Sequence, residues 1–422
     1  MSRRSLLAAT GVLAATPLDA ETGFPAGELR KLYHRDLFED FLPFMDRYAI
    51  DPDYGGFLCD TDFNGSRIDT YKSPTYEGRG IWVYSFLYTH FGRDQRYLDI
   101  ARCSVALLRK SQPADDVFWC TRLNRDGTPS APPAPSMPGD LAVCEGLAAY
   151  AQASGSQEHL DLARRLLHKC VEAYDRPDYN PGAGRTFLGA NAPPTPGARN
   201  VGSWMLLLRC AAQIQEAGSD PKLAALIDRV IEAVMERHFN PAFRLNNEIL
   251  PHDLSRPKGD FAELVYPGHT FEITWMLLEE AAARRDSALF QTAAERFLRH
   301  AEVAWDAVYG GVFHNLQNVD ENRWVLNKVL WAQEEVLINA LLLFEHTRSE
   351  WSRELFQRMN TYVRTNYPLK AHGSPLWMYA TGRRATFESF AAMPKRVENY
   401  HHPRHLMLNL LRLNRMAPDQ KK

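Results

Sequence analysis

Long apolar runs, paired cysteines and an excess of one charge are all missing from this sequence, and each absence closes off a class of function. No stretch is apolar for long enough to read as a membrane-spanning helix. The six cysteines (Cys59, Cys103, Cys120, Cys144, Cys170 and Cys210) lie far apart without a CxxC pair. That argues against zinc ribbons and dithiol redox chemistry and predicts mostly buried free thiols with no obligatory disulfide. A formal net charge of −2 supplies no general attraction to nucleic acid or anionic lipid. A phosphate-binding P-loop, a dinucleotide-binding glycine turn and a hydrolase nucleophile elbow are absent too. Convincing runs of core strand are also lacking.

Helical periodicity fills most of the chain after residue 26. It predicts twelve helices near 27–46, 76–91, 94–111, 139–153, 157–173, 197–217, 220–238, 267–283, 286–304, 327–347, 350–366 and 399–414. Their connections alternate. Tight turns such as Gly92-Arg93-Asp94, Gly155-Ser156 and Gly218-Ser219-Asp220 follow one helix. Long loops rich in Pro, Gly, Asn and Asp follow the next, as at 129–138 and 181–196. Long loops inside a compact domain are usually functional. A weak repeat adds to the pattern: Tyr54-Gly55-Gly56-Phe57 and Tyr309-Gly310-Gly311-Val312-Phe313 each follow one helix and precede another. Six helical hairpins of this kind fit an all-α (α/α)6 barrel. The helices starting near 76, 139, 197, 267, 327 and 399 would form its inner ring, with every N-terminus facing the long loops. The rival, an open solenoid, calls for polar capping repeats that neither end of the chain offers.

The first twenty residues differ in kind. Ser2-Arg3-Arg4-Ser5-Leu6-Leu7 leads into an Ala- and Leu-rich stretch and then small residues, the pattern of a twin-arginine export signal. This predicts a leader over 1–20, one catalytic barrel over 21–422 and a periplasmic location. A frayed tail on a cytoplasmic enzyme is the alternative.

Chemistry concentrates where long loops end and inner helices begin. In Pro267-Gly268-His269-Thr270-Phe271-Glu272, Pro and Gly announce a helix, and His269 and Glu272 share a face at i, i+3. The helix dipole favours a neutral His269, whereas a nearby carboxylate would oppose it. The choice between a general base and a hydrogen-bonded structural histidine is open at this point. In Glu398-Asn399-Tyr400-His401-His402-Pro403-Arg404-His405, His401 reads as an acid/base group and His402 and His405 as packed or exposed extras. His401 and His405, at i, i+4, also have the spacing of a metal pair, but no third ligand accompanies them at a recognisable spacing. In Tyr76-Glu77-Gly78-Arg79-Gly80, the glycines allow close approach of a ligand to a fixed cation, and pairing of Arg79 with Glu77 is the structural alternative. Trp331 offers a plane for a sugar and Glu335 an acceptor for hydroxyls, or the two belong to an ordinary charged helix.

At these four places the chain resembles the N-acylglucosamine 2-epimerase family, which also holds cellobiose 2-epimerases and mannose-type aldose–ketose isomerases. The family's Gly-Arg and following aromatic helix match Gly78-Arg79 through Tyr84. Its Pro-Gly-His-x-x-Glu-x-x-Trp matches Pro267 to Trp275, and its Trp-x-Gln-x-Glu matches Trp331, Gln333 and Glu335. Its aromatic-His-x-Pro-Arg matches Tyr400, His401, Pro403 and Arg404. The resemblance spans about residues 27–415 and implies an (α/α)6 barrel. It also implies that His269 and His401 are the acid/base pair, and that Tyr76, Arg79, Glu272, Trp331, Glu335 and Arg404 line a sugar site. The expected substrate is a free sugar, with no metal or redox cofactor, in a monomer or homodimer. The expected reaction is inversion at C2 of an aldose, with aldose–ketose isomerisation as the alternative. A glycoside hydrolase using Glu272 and Glu335, or a non-catalytic carbohydrate-binding protein, ranks behind. One departure points away from disaccharides: Asn200-Val201-Gly202-Ser203-Trp204 lacks the additional His that cellobiose epimerases carry in this region.

Overall fold

The computed structural model describes residues 23–218 and 220–417, so the leader expected over 1–20 lies outside the described residues. Twelve main helices organise the described residues. They are α1 (Ala26–Arg35), α2 (Pro74–His90), α3 (Gln95–Lys110), α4 (Pro138–Ser154), α5 (Gln157–Asp175), α6 (Val201–Gln215), α7 (Pro221–Glu232), α8 (Pro267–Arg284), α9 (Ser287–Ala304), α10 (Leu330–Thr347), α11 (Glu350–Asn366) and α12 (His401–Met416). The first helical segment is irregular beyond α1. Its turns widen to the π form at Asp36–Phe41 and Met45–Ala49, on either side of Pro43, whose missing N–H cannot complete the α ladder.

The even-numbered helices close into a ring: α2 packs on α4, α4 on α6, α6 on α8, α8 on α10, α10 on α12, and α12 returns to α2. Each outer helix lies against an inner one, with α1 covering α12. This is the (α/α)6 barrel expected from the hairpin count. The two rings differ in their chemistry. Inner helices such as α4 and α10 are buried on nearly all sides, whereas α5 and α11 bury a single stripe. Among the described residues, strands occur as four two-stranded antiparallel ribbons within the long connections. No described helix is long and apolar enough to cross a membrane. All six thiols are free, and Cys103 alone of them is exposed.

Two features fix the inner ring near its mouth. The first is the close crossing of α2 and α4, where a side chain on Gly78 would collide with the Ala142 carbonyl and one on Gly146 with the Gly78 carbonyl. The second is the repeat, which proves deeper than its glycines. Asp51 accepts hydrogen bonds from its own turn at Asp53 N (3.1 Å) and from Arg125 (2.8 and 2.9 Å), and pairs with Lys72 at 3.0 Å. Asp306 does the same with Val308 N (2.9 Å), Arg383 (2.9 and 3.0 Å) and Lys328 (3.0 Å). Each lysine also donates to a glycine carbonyl of its turn, Gly55 or Gly310. The helix that follows completes the anchor, since Glu77 on α2 accepts from Phe57 N and Gln333 on α10 from Val312 N. Burial raises the pKa of Asp51, but Arg125 and Lys72 outweigh it and hold the carboxyl down to about 2.

Gly78→Ala should destabilise the protein by about 2 kcal/mol or more, because the obstructing atoms are backbone and cannot rotate away. Urea unfolding of the variant against the parent measures it, and an unchanged midpoint would mean that the helices separate freely at this crossing.

Candidate functional site

The six inner helices present their first turns to one mouth, and a buried charge network joins them beneath it. Arg404, in the first turn of α12 and wholly buried, donates to Glu335 of α10 and pairs with Glu272 of α8 at 2.7 Å. Its other arm reaches the Tyr400 hydroxyl (3.0 Å), which donates to Glu145 of α4 (2.8 Å). Arg209 of α6 pairs with Glu145 (3.0 Å) and Glu272 (2.9 Å). Arg79 of α2 lies over the Tyr400 ring, its guanidinium carbon 5.1 Å from the centroid. Three carboxylates thus share two guanidiniums, and the surplus negative charge settles unequally. Burial raises both acids, but Arg404, His401 and Arg209 pull Glu272 well below the usual carboxylate range. Glu335, with Glu272's charge adding to burial and only Arg404 and the Trp275 N–H opposing, is pushed up to about 8. Glu335 is therefore the more readily protonated of the two carboxyls. It is sealed from solvent, with Trp275 Nε1 donating to its second oxygen at 2.7 Å.

Above this floor stand the two histidines. His269, third residue of α8, directs Nδ1 at Glu248 Oε1 at 2.8 Å. His401, first residue of α12, places Nδ1 3.4 Å from Glu398 Oε1 and Nε2 3.9 Å from Glu272 Oε1. Trp331 brings them into one small space: its ring centroid is 5.3 Å from the His401 ring and 6.1 Å from the His269 ring, inclined 27° and 32°. Their environments push them apart. Burial depresses His269, but Glu248 and Glu272 outweigh it and raise the imidazole above its ordinary value. This reverses the helix-dipole expectation for the residue. Burial also depresses His401, and Arg79 adds to it; Glu398 and Glu272 oppose without prevailing, so His401 lies below its ordinary value. The two imidazoles are thus shifted in opposite directions, His269 toward the cation and His401 toward the neutral form.

Arg79 pairs not with Glu77, which turns inward to Ser104 and Phe57 N, but loosely with Glu398 at 3.9 Å. Its side chain keeps about a quarter of its surface open, which leaves guanidinium donors for a ligand. Tyr76 sits at the same rim, its hydroxyl accepting from Arg396 at 2.9 Å. Tyr266 packs on His269 (4.3 Å), and Phe187, from the short helix Ala183–Leu188, packs on Tyr266 (5.6 Å).

Sequence reasoning missed Glu248, Glu398, Arg209 and Glu145. A signal existed for two of them. Arg209 is the lone charge of a mostly apolar helix and Glu145 shares its own with only Asp140, and a charge in such a buried helix must find a partner on a neighbouring element. Glu248 stands in a loop 21 residues before His269, and spacing alone does not reveal it. His402 and His405 are both buried and share Glu334 at 2.5 and 3.3 Å. Two groups bring metal-type ligands together: Glu334 with His402 and His405, and Glu272 with Glu335 and His401. In the second, Arg404 already supplies the cation between the carboxylates.

Arg404→Met should cost about 3–5 kcal/mol, since it removes the cation shared by Glu272 and Glu335 and leaves Glu335 with none. Glu335→Gln should behave differently. A carboxyl raised in the fold contributes stability fully below its unfolded value, near 4.5, and loses it as pH rises through about 8. The parent should therefore lose stability relative to the variant between those limits, which thermal unfolding at pH 5 and pH 8 reads directly.

Comparison with known proteins agrees with the resemblance seen in the sequence. The sequence model for "N-acylglucosamine 2-epimerase (GlcNAc 2-epimerase)" matches residues 55–402. The bovine N-acylglucosamine 2-epimerase (Bos taurus) is 26% identical over 331 residues, 75% of each chain. The human protein (Homo sapiens) is 25% identical over 338 residues, covering 76% of this chain and 75% of its own. Among solved structures, cellobiose 2-epimerase from Bacillus thermoamylovorans B4167 superposes with a TM-score of 0.77 at 16% identity, over 92% of this chain and all of the other. A D-mannose isomerase gives 0.73 at 16% identity, over 92% and 97% of the two chains. These two share the fold. The match over most of the chain settles the family: this protein is an isomerase belonging to the N-acylglucosamine 2-epimerase family.

Proposed function

We propose that the protein inverts C2 of a free aldose by proton transfer between His269 and His401. The observation that carries this reading is the meeting of two imidazoles beside Trp331, each with a carboxylate behind its Nδ1 and an open cation, Arg79, at the rim. The C2 proton of an open-chain aldose is acidic because the C1 carbonyl receives the electron pair. Neutral His401 removes it, the charge collects on the C1 oxygen of the enediolate, and Arg79 stabilises that oxygen. Cationic His269 returns a proton to the opposite face of C2, which gives the 2-epimer. Delivery to C1 instead gives the ketose, the second outcome the same site supports. Trp331, Tyr76 and Tyr266 supply the aromatic walls a sugar ring needs. The N-acylglucosamine named in the relatives and the mannose of one structural neighbour head the candidate substrates.

Hydrolysis fits less well. A glycosidase holds two carboxyls on either side of the scissile bond, whereas Glu272 and Glu335 lie buried together on Arg404. The protein is proposed to act on a soluble sugar as a monomer or homodimer, in the periplasm if residues 1–20 direct export.

Proton NMR in D2O with a panel of free monosaccharides tests the reading. The C2 proton signal of one sugar should disappear as a 2-epimer or ketose grows. His269→Asn and His401→Asn should each lower that exchange by roughly 1,000-fold with the fold retained. Cleavage of a glycoside, or binding without exchange, would overturn it. The pH profile follows from the two directions of shift: kcat/KM should fall on the acid side as His401 gains a proton, below about 6.5, and on the alkaline side as His269 loses one, above about 6.5. A profile flat from pH 5 to 9 would contradict the pairing.

A further inference from the structure

We infer that Glu248 is the positioning residue of His269, holding Nδ1–H in a fixed direction so that Nε2 alone faces the substrate. This deepens the two-histidine reading and rests on it for its consequence in turnover. Its structural half stands independently.

The geometry comes first. Glu248 is 1% exposed and its Oε1 lies 2.8 Å from His269 Nδ1, the distance of a charge-assisted hydrogen bond. The residue itself is held on both sides. Its N–H donates to Leu264 O (2.8 Å), its carbonyl accepts from Val201 N (3.0 Å), and the next two residues, Ile249 and Leu250, pair antiparallel with Asn200 and Arg199. The carboxylate is thereby tied to the start of α6 and the imidazole to the start of α8, so the bond fixes the ring relative to two inner helices.

Packing supports the same assignment. Gly202, in the first turn of α6, has no side chain where the imidazole lies, and a Cβ there would sit 2.6 Å from His269 Cε1. Tyr266 packs against the ring at 4.3 Å between centroids, its hydroxyl 2.9 Å from His314 Nε2. Glu248 and Gly202 therefore serve one end: the loop supplies a carboxylate and the helix start leaves room for the ring to reach it.

Charge gives the strongest argument. Glu272 and Glu335 lean on Arg404, Glu145 on Arg209, and Glu398 on Arg79. Glu248 has His269 as its sole ion-pair partner among the described residues; beyond it the Gly202 N–H at the start of α6 favours the ionised carboxyl, and burial still raises the pKa of Glu248. A buried carboxylate without a cation is costly. Glu248 thus favours a protonated His269, and His269 in turn satisfies Glu248. The other titratable groups facing this imidazole are Glu272 on its own helix, which also favours the cation, and His314 and Tyr266 beside it. Glu398, behind His401, differs in being divided. Its second oxygen accepts the backbone N–H groups of Tyr400, His401 and His402, so it caps α12 as well as facing an imidazole.

Glu248→Gln in the full chain is the test, with Glu248→Asp as the conservative control. Two measurements separate the inference from the reaction it serves. In the free protein, histidines labelled with nitrogen-15 report tautomer and titration, and the resonance missing from His269→Asn identifies His269. The parent should show Nδ1 protonated through neutral pH, and in Glu248→Gln the titration midpoint should move down by about one unit. An unmoved midpoint and tautomer would overturn the inference whatever the enzyme does. In turnover, Glu248→Gln should lower kcat by roughly 100-fold with KM nearly unchanged and shift the alkaline limb of the pH profile downward. Glu248→Asp should recover part of both. If parent protein exchanges no sugar C2 proton, the epimerase reading fails while the tautomer result still decides the role of Glu248. If exchange is normal in the parent and undiminished in Glu248→Gln, the positioning role fails and the epimerase reading survives.

Discussion

The dependence of every inner helix on Arg404 and its neighbours organises this molecule. An (α/α)6 barrel must fill its own axis, and here the inner helices around that axis are joined by Arg404, Arg209, Glu145, Glu272, Glu335 and Tyr400, with Arg79 of α2 resting on the Tyr400 ring. Such a network is a poor source of net stability, because each charge gives up hydration to enter it. What it supplies is definition. Charged contacts shared among several groups accept few geometries, so the helix starts that carry His269, Trp331 and His401 are held in one arrangement.

The same network divides labour among like residues. Glu272 and Glu335 are both buried on Arg404, yet one carboxyl is pulled down and the other pushed up, because two guanidiniums cannot neutralise three carboxylates. His269 and His401 divide in the same way, through their surroundings. Arg79 lies near His401 and not His269, while Glu248 is devoted to His269. Two chemically identical side chains are thus shifted in opposite directions by their surroundings, the separation on which the proposed proton transfer between them rests.

Much of the architecture was legible in the sequence because its physical causes are local. Helical periodicity, Pro at the starts of α2, α4, α8 and Gly at the turns depend on neighbours a few residues away. The alternation of short and long connections then implied the double ring. The tandem Tyr-Gly-Gly turns were visible, but the Asp51–Lys72–Arg125 and Asp306–Lys328–Arg383 clusters around them span over 70 residues each and emerged only from the fold. The candidate site divides along the same line. His269, Glu272, Trp331, Glu335, His401 and Arg404 stand in compact motifs at helix starts. Glu248 and Arg209 act from loops and helix interiors far away in sequence, and their roles exist only in three dimensions. The loose pairing of Arg79 with Glu398, rather than Glu77, is another such case: Glu77 is the nearer in sequence, but the turn at Phe57 claims it.

Closure of the ring has a topological meaning. Because α12 packs on both α1 and α2, the described beginning and end of the chain lie side by side, with Arg30 donating to Ala417 O at 3.0 Å. The order in which the hairpins are strung is therefore separable from the barrel they build. A short linker across this seam, with new ends cut at the exposed turn of Gly155, would leave every inner-helix contact intact. The barrel is a circular object that happens to be encoded from one of its six seams.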